Sequence, residues 1–151
     1  MRREEKEITA PTEIEAIIRQ AAVCRLAMVD GDRPYMVPLC FGYRSGELYF
    51  HTASEGKKLD ILKKNNRVCF EFETGVRLRR GPTACEWGMH YRSVIGFGVA
   101  SLIEDAASKR RALDIIMANY ADGTFEFADA SLNQTVVIKI DVASMTGKAS
   151  E

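Results

Sequence analysis

The chain has 151 residues, 46% hydrophobic and 28% charged, the proportions of one soluble globular domain with a single substantial core. Its 21 basic and 21 acidic side chains cancel, which argues against nucleic-acid binding driven by a basic surface. No apolar run nears the roughly 20 residues of a membrane-spanning helix, and the opening M-R-R-E-E-K-E leads into no apolar leader core, so a cytoplasmic protein is expected.

Residues 1–10 read as a loose terminus. Thr12 and Glu15 have the spacing of a capping box, and Ile14, Ile17 and Ile18 recur at helical period, which predicts a first helix. V-C-R-L-A-M-V (23–29) reads as a strand and D-G-D as the turn after it. Residues 34–43 alternate, with Tyr35, Val37, Leu39, Phe41 and Tyr43 on one face, and E-L-Y-F-H-T follows a tight R-S-G turn, so three strands form a meander. A short helix over 56–64 turns Leu59 and Leu62 inward. R-V-C-F-E-F-E (67–73) is a fourth strand, and the basic, glycine-bounded 74–82 reads as a loop. A long strand spans 91–103. A helix over 105–120 offers Ala112, Ile115, Ile116 and Met117 for packing, 135–142 is the last strand, and 147–151 is a loose end. About six strands and three helices without βαβ alternation predict a mainly β chain, a small antiparallel barrel with flanking helices.

The stretch Y-F-H-T-A-S-E-G-K-K-L-D (49–60) carries the clearest chemistry. His51, Lys57 and Lys58 supply positive charge, Thr52 and Ser54 supply hydroxyls, and a helix beginning near residue 56 would turn free N–H groups outward. A phosphate group needs that combination, although solvated lysines in an ordinary strand–helix turn fit the same letters. Pro38 interrupts a strand that otherwise reads as core, so a bulge or an open edge is expected there, with backbone groups of Val37 and Leu39 free to meet a planar polar ligand. In 91–103, Gly96, Gly98 and Ala100 share a face, which suits a sharp barrel bend or close packing across a dimer. Trp87, the only tryptophan, suits the core, an interface, or stacking on a bound ring, and His90 suits solvent or a haem or metal ligand. Cys24, Cys40, Cys69 and Cys85 form no C-x-x-C pair and read as core thiols, with no metal site expected.

With these segments in order, the sequence resembles the pyridoxamine 5′-phosphate oxidase-like FMN-binding split barrels, and within them the branch of 5-nitroimidazole antibiotic resistance proteins. The resemblance runs through V-C-R-L-A, P-Y-M-V-P-L-C-F-G-Y, L-Y-F-H-T-A-S-E-G-K-K, W-G-M-H-Y-R-S-V-I-G-F-G and M-T-G-K. It implies a six-stranded antiparallel split β-barrel that forms a homodimer, with FMN in a groove between subunits. His51, Thr52, Ala53, Lys57 and Lys58 would hold the phosphate, Val37, Pro38 and Leu39 would line the isoalloxazine, and Arg92 and Ser93 would adjoin it. Trp87 would reach across from the partner subunit. FAD, haem or a deazaflavin are alternative cofactors. The implied activity is that of an oxidoreductase using NAD(P)H to reduce a nitroaromatic or another small electron-poor acceptor. A non-catalytic flavin- or haem-binding protein is the alternative, and no catalytic residue is assigned.

Overall fold

The computed structural model describes residues 1–151, and its backbone is dominated by one antiparallel sheet. In chain order the strands are β1 (Glu7–Ile8), β2 (Cys24–Asp30), β3 (Arg33–Leu39), β4 (Gly42–Arg44), β5 (Glu47–Ala53), β6 (Arg67–Arg79), β7 (Gly88–Ile103) and β8 (Thr135–Ser150). The helices are α1 (Pro11–Gln20), α2 (Lys57–Lys64), α3 (Ala106–Ala118) and α4 (Asp129–Gln134). Neighbours run β3-β2-β6-β7-β8-β5-β4, and β1 adds to β8. The sheet curls without closing: β3 and β4 stand at its two edges, yet only Cys40 and Phe41 separate them in the chain. The strand pattern implied a small antiparallel barrel; the open sheet is the split barrel that the resemblance implied.

Several local expectations change. Eight strands replace six, because the run over 34–43 breaks at Cys40 and Phe41 and because β1 is added. The predicted loop over 74–82 is mostly strand: β6 continues to Arg79, shifting register between Thr74 and Arg77, where Gly75 adopts φ +64°. A glycine read as a loop boundary is thus a bulge that lets the ladder go on. The C-terminus is not loose, since Tyr91 pairs with Ser150 and β8 runs sixteen residues, and residues 7–8 of the expected N-terminal tail pair with Lys148 and Gly147. Thr12 caps nothing. Pro11 takes the first helical position, where a missing N–H costs nothing, and Ala10 is the N-cap.

The core lies inside the curl. Phe41, Phe50, Phe70 and Phe72 are completely buried or nearly so, with Leu26, Leu48, Ile138 and Ile140, and α1 seals one mouth with Ile14, Ile17 and Ile18. α2 contributes Leu59 and Leu62 as its spacing predicted, together with Ile61. Of the four cysteines only Cys24 is a core thiol: its pKa is driven far up by burial, whereas Cys69 is half-buried and Cys40 and Cys85 are exposed.

α3 sets the path of the chain across the split. A Cβ on Gly42 would come within 2.7 Å of the Ile116 backbone nitrogen, so only glycine lets α3 lie on β4. The Tyr120 hydroxyl accepts from the Phe41 N–H at 3.0 Å and donates to the Ala22 carbonyl at 2.9 Å, and Asn119 donates to the Phe41 carbonyl at 3.3 Å. These bonds satisfy the backbone at the break between β3 and β4, where no ladder partner exists.

Candidate functional site

Residues 51–58 lie where β5 ends and α2 begins. His51, Thr52 and Ala53 pair with Val137, Val136 and Thr135 of β8, so the strand's last turn stands at the start of β8. Gly56, the N-cap of α2, has φ +150° with nothing near a would-be Cβ, and no side chain caps the helix. The first N–H groups of α2 therefore lack a protein acceptor, and the dipole adds positive potential at the same end. His51, Ala53, Ser54 and Lys57 are exposed around it, while Thr52 and Lys58 are half-buried. Glu55 and Asp60 temper the local charge. A dianionic phosphate fits this donor set better than a neutral ligand.

The same structure brings this turn to β3. Lys57 Nζ stands 4.6 Å from the centroid of the Tyr35 ring, two residues before Val37. Val37 and Leu39 turn their side chains toward the core, and Pro38 is exposed on the opposite face. β3 is an edge strand whose register with β2 is unbroken from Cys24–Leu39 to Asp30–Arg33, so the expected open edge is present and the bulge is not. One detail of that expectation reverses. Pro34 and Pro38 have the same parity, and a proline is tolerated only where its nitrogen faces away from the neighbouring strand. The free backbone groups on the edge are then those of Met36 and the carbonyls of the two prolines, whereas Val37 and Leu39 direct theirs to β2.

The remaining predicted residues are elsewhere in the chain. Arg92 and Ser93 pair with Ala149 and Lys148 on β8, and His51 pairs with Val137. Lys148 and Val137 are eleven residues apart on β8, roughly 36 Å of extended strand. Ser93 is buried. Arg92 Nε is shielded without a hydrogen-bond partner, its closest carboxylate being Glu151 at 3.8 Å. Trp87 follows a short 3-10 turn (Ala84–Glu86) capped by Thr83, is 47% exposed, and donates from Nε1 to the Gly81 carbonyl at 2.8 Å. It is not core filler. Gly96 and Gly98 do face inward: a Cβ at 96 would strike the Phe70 ring and reach 2.8 Å from Met145 Cγ, and one at 98 would reach 2.5 Å from the Asp141 carbonyl oxygen. Their smallness serves the chain's own core and not packing across a dimer.

The largest cleft, about 800 Å³, belongs to neither group. It lies between α3 and the β5–β8 ladder, where Arg44, Arg111 and Lys139 meet Glu47, Glu104, Asp105 and Asp114. Tyr49 donates to Glu47 at its wall, and burial followed by that carboxylate pushes the phenol up to about 12. None of the four larger clefts is lined by residues 37–39 or 51–58. The turn is an open shelf on the surface of the chain.

A family model described as pyridoxamine 5′-phosphate oxidase matches residues 10–149. The chain belongs to that family. A solved structure of a proposed 5-nitroimidazole antibiotic resistance protein from Bacteroides thetaiotaomicron shares 38% identity, covers 96% of this chain and 90% of its own, and superposes with a TM-score of 0.85. The flavocytochrome Anf3 from Azotobacter vinelandii (19% identity, 100% of this chain and 72% of that one, TM-score 0.88) has the same fold. So does an FAD- and haem-binding protein from Mycobacterium smegmatis (20% identity, 97% and 74%, TM-score 0.88). No curated protein matches. No helix is long and apolar enough to cross a membrane.

Within this family the sequence missed the Tyr120–Asn119 anchor and a set of cations around β7 and the N-terminus. The first has no short-range signal, since Tyr120 and Phe41 are 79 residues apart. The second was visible as R-L-R-R and M-T-G-K, but only the ladder brings those segments together.

Proposed function

We propose that the chain is an FMN-binding oxidoreductase acting as a homodimer. The observation that carries this reading is the division of the candidate site: His51, Thr52, Ala53, Lys57 and Lys58 surround the start of α2, and Lys57 reaches Tyr35 on β3, the strand that carries Val37, Pro38 and Leu39. The other half (Trp87, Arg92 and Ser93) lies about eleven ladder positions away along β8. The two halves belong to different ends of β8, so in this reading a second copy brings its Trp87, Arg92 and Ser93 to the first copy's α2. The apolar strip Ile95, Phe97 and Val99, which is 47%, 56% and 44% exposed on the outer side of β7, supplies the surface for such pairing.

In that assembly the uncapped start of α2, with Lys57 and Lys58, binds the phosphate, and Thr52 adds a hydroxyl. The β3 edge orients the ring through its free backbone groups, those of Met36 and the Pro38 carbonyl. Arg92 and Ser93 of the second copy donate to its polar rim, and Trp87 excludes water from one face. Flavin supplies the redox chemistry when bound: hydride arrives from NAD(P)H and two electrons leave to a small electron-poor acceptor such as a nitroaromatic. FAD fills the same place if the groove stays open at the adenylate end.

The test is the absorbance spectrum of the purified protein before and after FMN addition, for wild type and Lys57→Ala/Lys58→Ala. A flavin spectrum lost in the double variant supports the site. No flavin in either protein removes it. If the loaded protein oxidises no NAD(P)H with any acceptor, catalysis fails while binding stands.

A non-catalytic flavin or haem binder remains the second reading, because His90 Nδ1 is shielded and has no hydrogen-bond partner. A sharp Soret band on haem addition, lost in His90→Ala, would favour it.

A further inference from the structure

A second charged feature lies beside the half-site on β7. Arg2, Arg3, Lys6, Arg79 and Lys148 line a cleft of about 490 Å³ together with Tyr91, and no acidic residue is among its ten lining residues. Glu7 stands opposite Lys148 in the ladder, yet none of the five cations is within ion-pair distance of any carboxylate. In a chain whose charges otherwise cancel, five unpaired cations around one space form a strongly positive locus. Its placement is built into the backbone. Gly88 faces Arg79 across the ladder, and a Cβ there would lie 2.9 Å from Arg79 Nη2, so the glycine makes room for the guanidinium to lie over the strand. Lys148 Nζ is 5.5 Å from the Tyr91 ring centroid, next to an aromatic face on which a base can stack.

We propose that this cleft binds the adenylyl pyrophosphate of a dinucleotide cofactor. The space is within the roughly 300–1,000 Å³ of small-molecule sites and far larger than one phosphate needs. Five cations suit two linked phosphates, and the guanidinium fork of Arg79 suits their paired oxygens. Ser93 is two residues along β7 from Tyr91, so a nicotinamide whose tail is held here can reach a flavin whose polar rim lies at Arg92 and Ser93. The inference rests on the flavin reading only for the identity of the head group.

Two cofactors carry this tail, FAD and NAD(P)H, and titration calorimetry with ADP, FMN, FAD and NADPH separates them. The proteins are wild type, Arg79→Ser/Lys148→Ser, and Gly88→Ala, which displaces the guanidinium without removing charge; thermal melts check folding. ADP is expected to bind wild type and to weaken about tenfold or more in the double variant, with FMN affinity unchanged. A loss for NADPH alone assigns the tail to the nicotinamide donor. A parallel loss for FAD would bring the flavin's own phosphate to this cleft, since that phosphate is half of the FAD pyrophosphate, and would overturn its placement at α2. Equal ADP affinity in all three proteins overturns the proposal, as does ADP loss with FAD and NADPH both unaffected. Failure of FMN to bind wild type, with variant-sensitive ADP binding intact, strikes the flavin reading and leaves the cleft.

Discussion

The two faces of β7 present opposite solutions to one problem. Inward, Val94, Gly96, Gly98 and Ala100 are buried; Gly96 leaves the space that the Phe70 ring fills, and Gly98 the space taken by Ile140 and the Asp141 carbonyl. Outward, Ile95, Phe97 and Val99 are large, apolar and about half exposed. The same strand is thus finished on one side and unfinished on the other. The inward face needs small residues because sixteen positions of ladder must bend around a core already holding four phenylalanines. The outward face is explained only by something that covers it, since an apolar strip of this kind in water favours association.

That contrast is testable from its inner side first. Phe70→Ala should lower unfolding free energy by about 3–5 kcal/mol in urea titration, because it leaves a cavity beside Gly96, which has no side chain to fill it. Gly96→Ala should cost about 1–3 kcal/mol by the reverse mechanism, overpacking against the Phe70 ring. Combining Gly96→Ala with Phe70→Leu should recover part of that loss, and simple additivity of the two changes would break the account. On the outer side, Ile95→Ser/Phe97→Ser should leave the far-ultraviolet dichroism of the fold intact while converting dimer to monomer in sedimentation. Persistent dimer in that variant would mean that β7 is covered by something other than its own copy.

How far the sequence disclosed all this depends on the range of the forces involved. Helices α1, α2 and α3 follow from local periodicity, and Leu59 and Ile116 are buried as their spacing required. The 51–58 turn was legible because His51, the small residues and the two lysines are contiguous. The alternation across 91–103 was legible too, but not its meaning: Gly96 and Phe70 meet only through the β6–β7 register. The basic run at 74–82 misled because glycines signal loops and bulges alike, and only the partner strand distinguishes them. Pro34 and Pro38 carried a subtler message. Their equal parity was present in the letters and determines which backbone groups the β3 edge leaves open.

One polar group interrupts the outer apolar face, and it predicts the smallest effect. Arg25 on β2 is 3.5 Å from Glu71 and 3.0 Å from Glu73, and Glu71 stands next to Ile95 in the ladder. Desolvation, then repulsion from Glu73, raises the Glu71 pKa, and Arg25 opposes both without cancelling them. An acid whose folded value lies above its unfolded one binds its proton more tightly in the folded state, so its charged form disfavours that state and the penalty fades as pH falls through the raised value. Two carboxylates against one guanidinium also leave a net negative spot beside the strip, and in the proposed dimer two such spots would come under a common apolar cover. Dimer affinity measured by sedimentation should therefore strengthen modestly as pH falls through the Glu71 transition. Glu71→Gln should show the strengthened affinity at neutral pH and lose the dependence, while Arg25 keeps Glu73 as its partner. A pH profile unchanged by that substitution would place Glu71 outside the buried contact and move the interface away from β6.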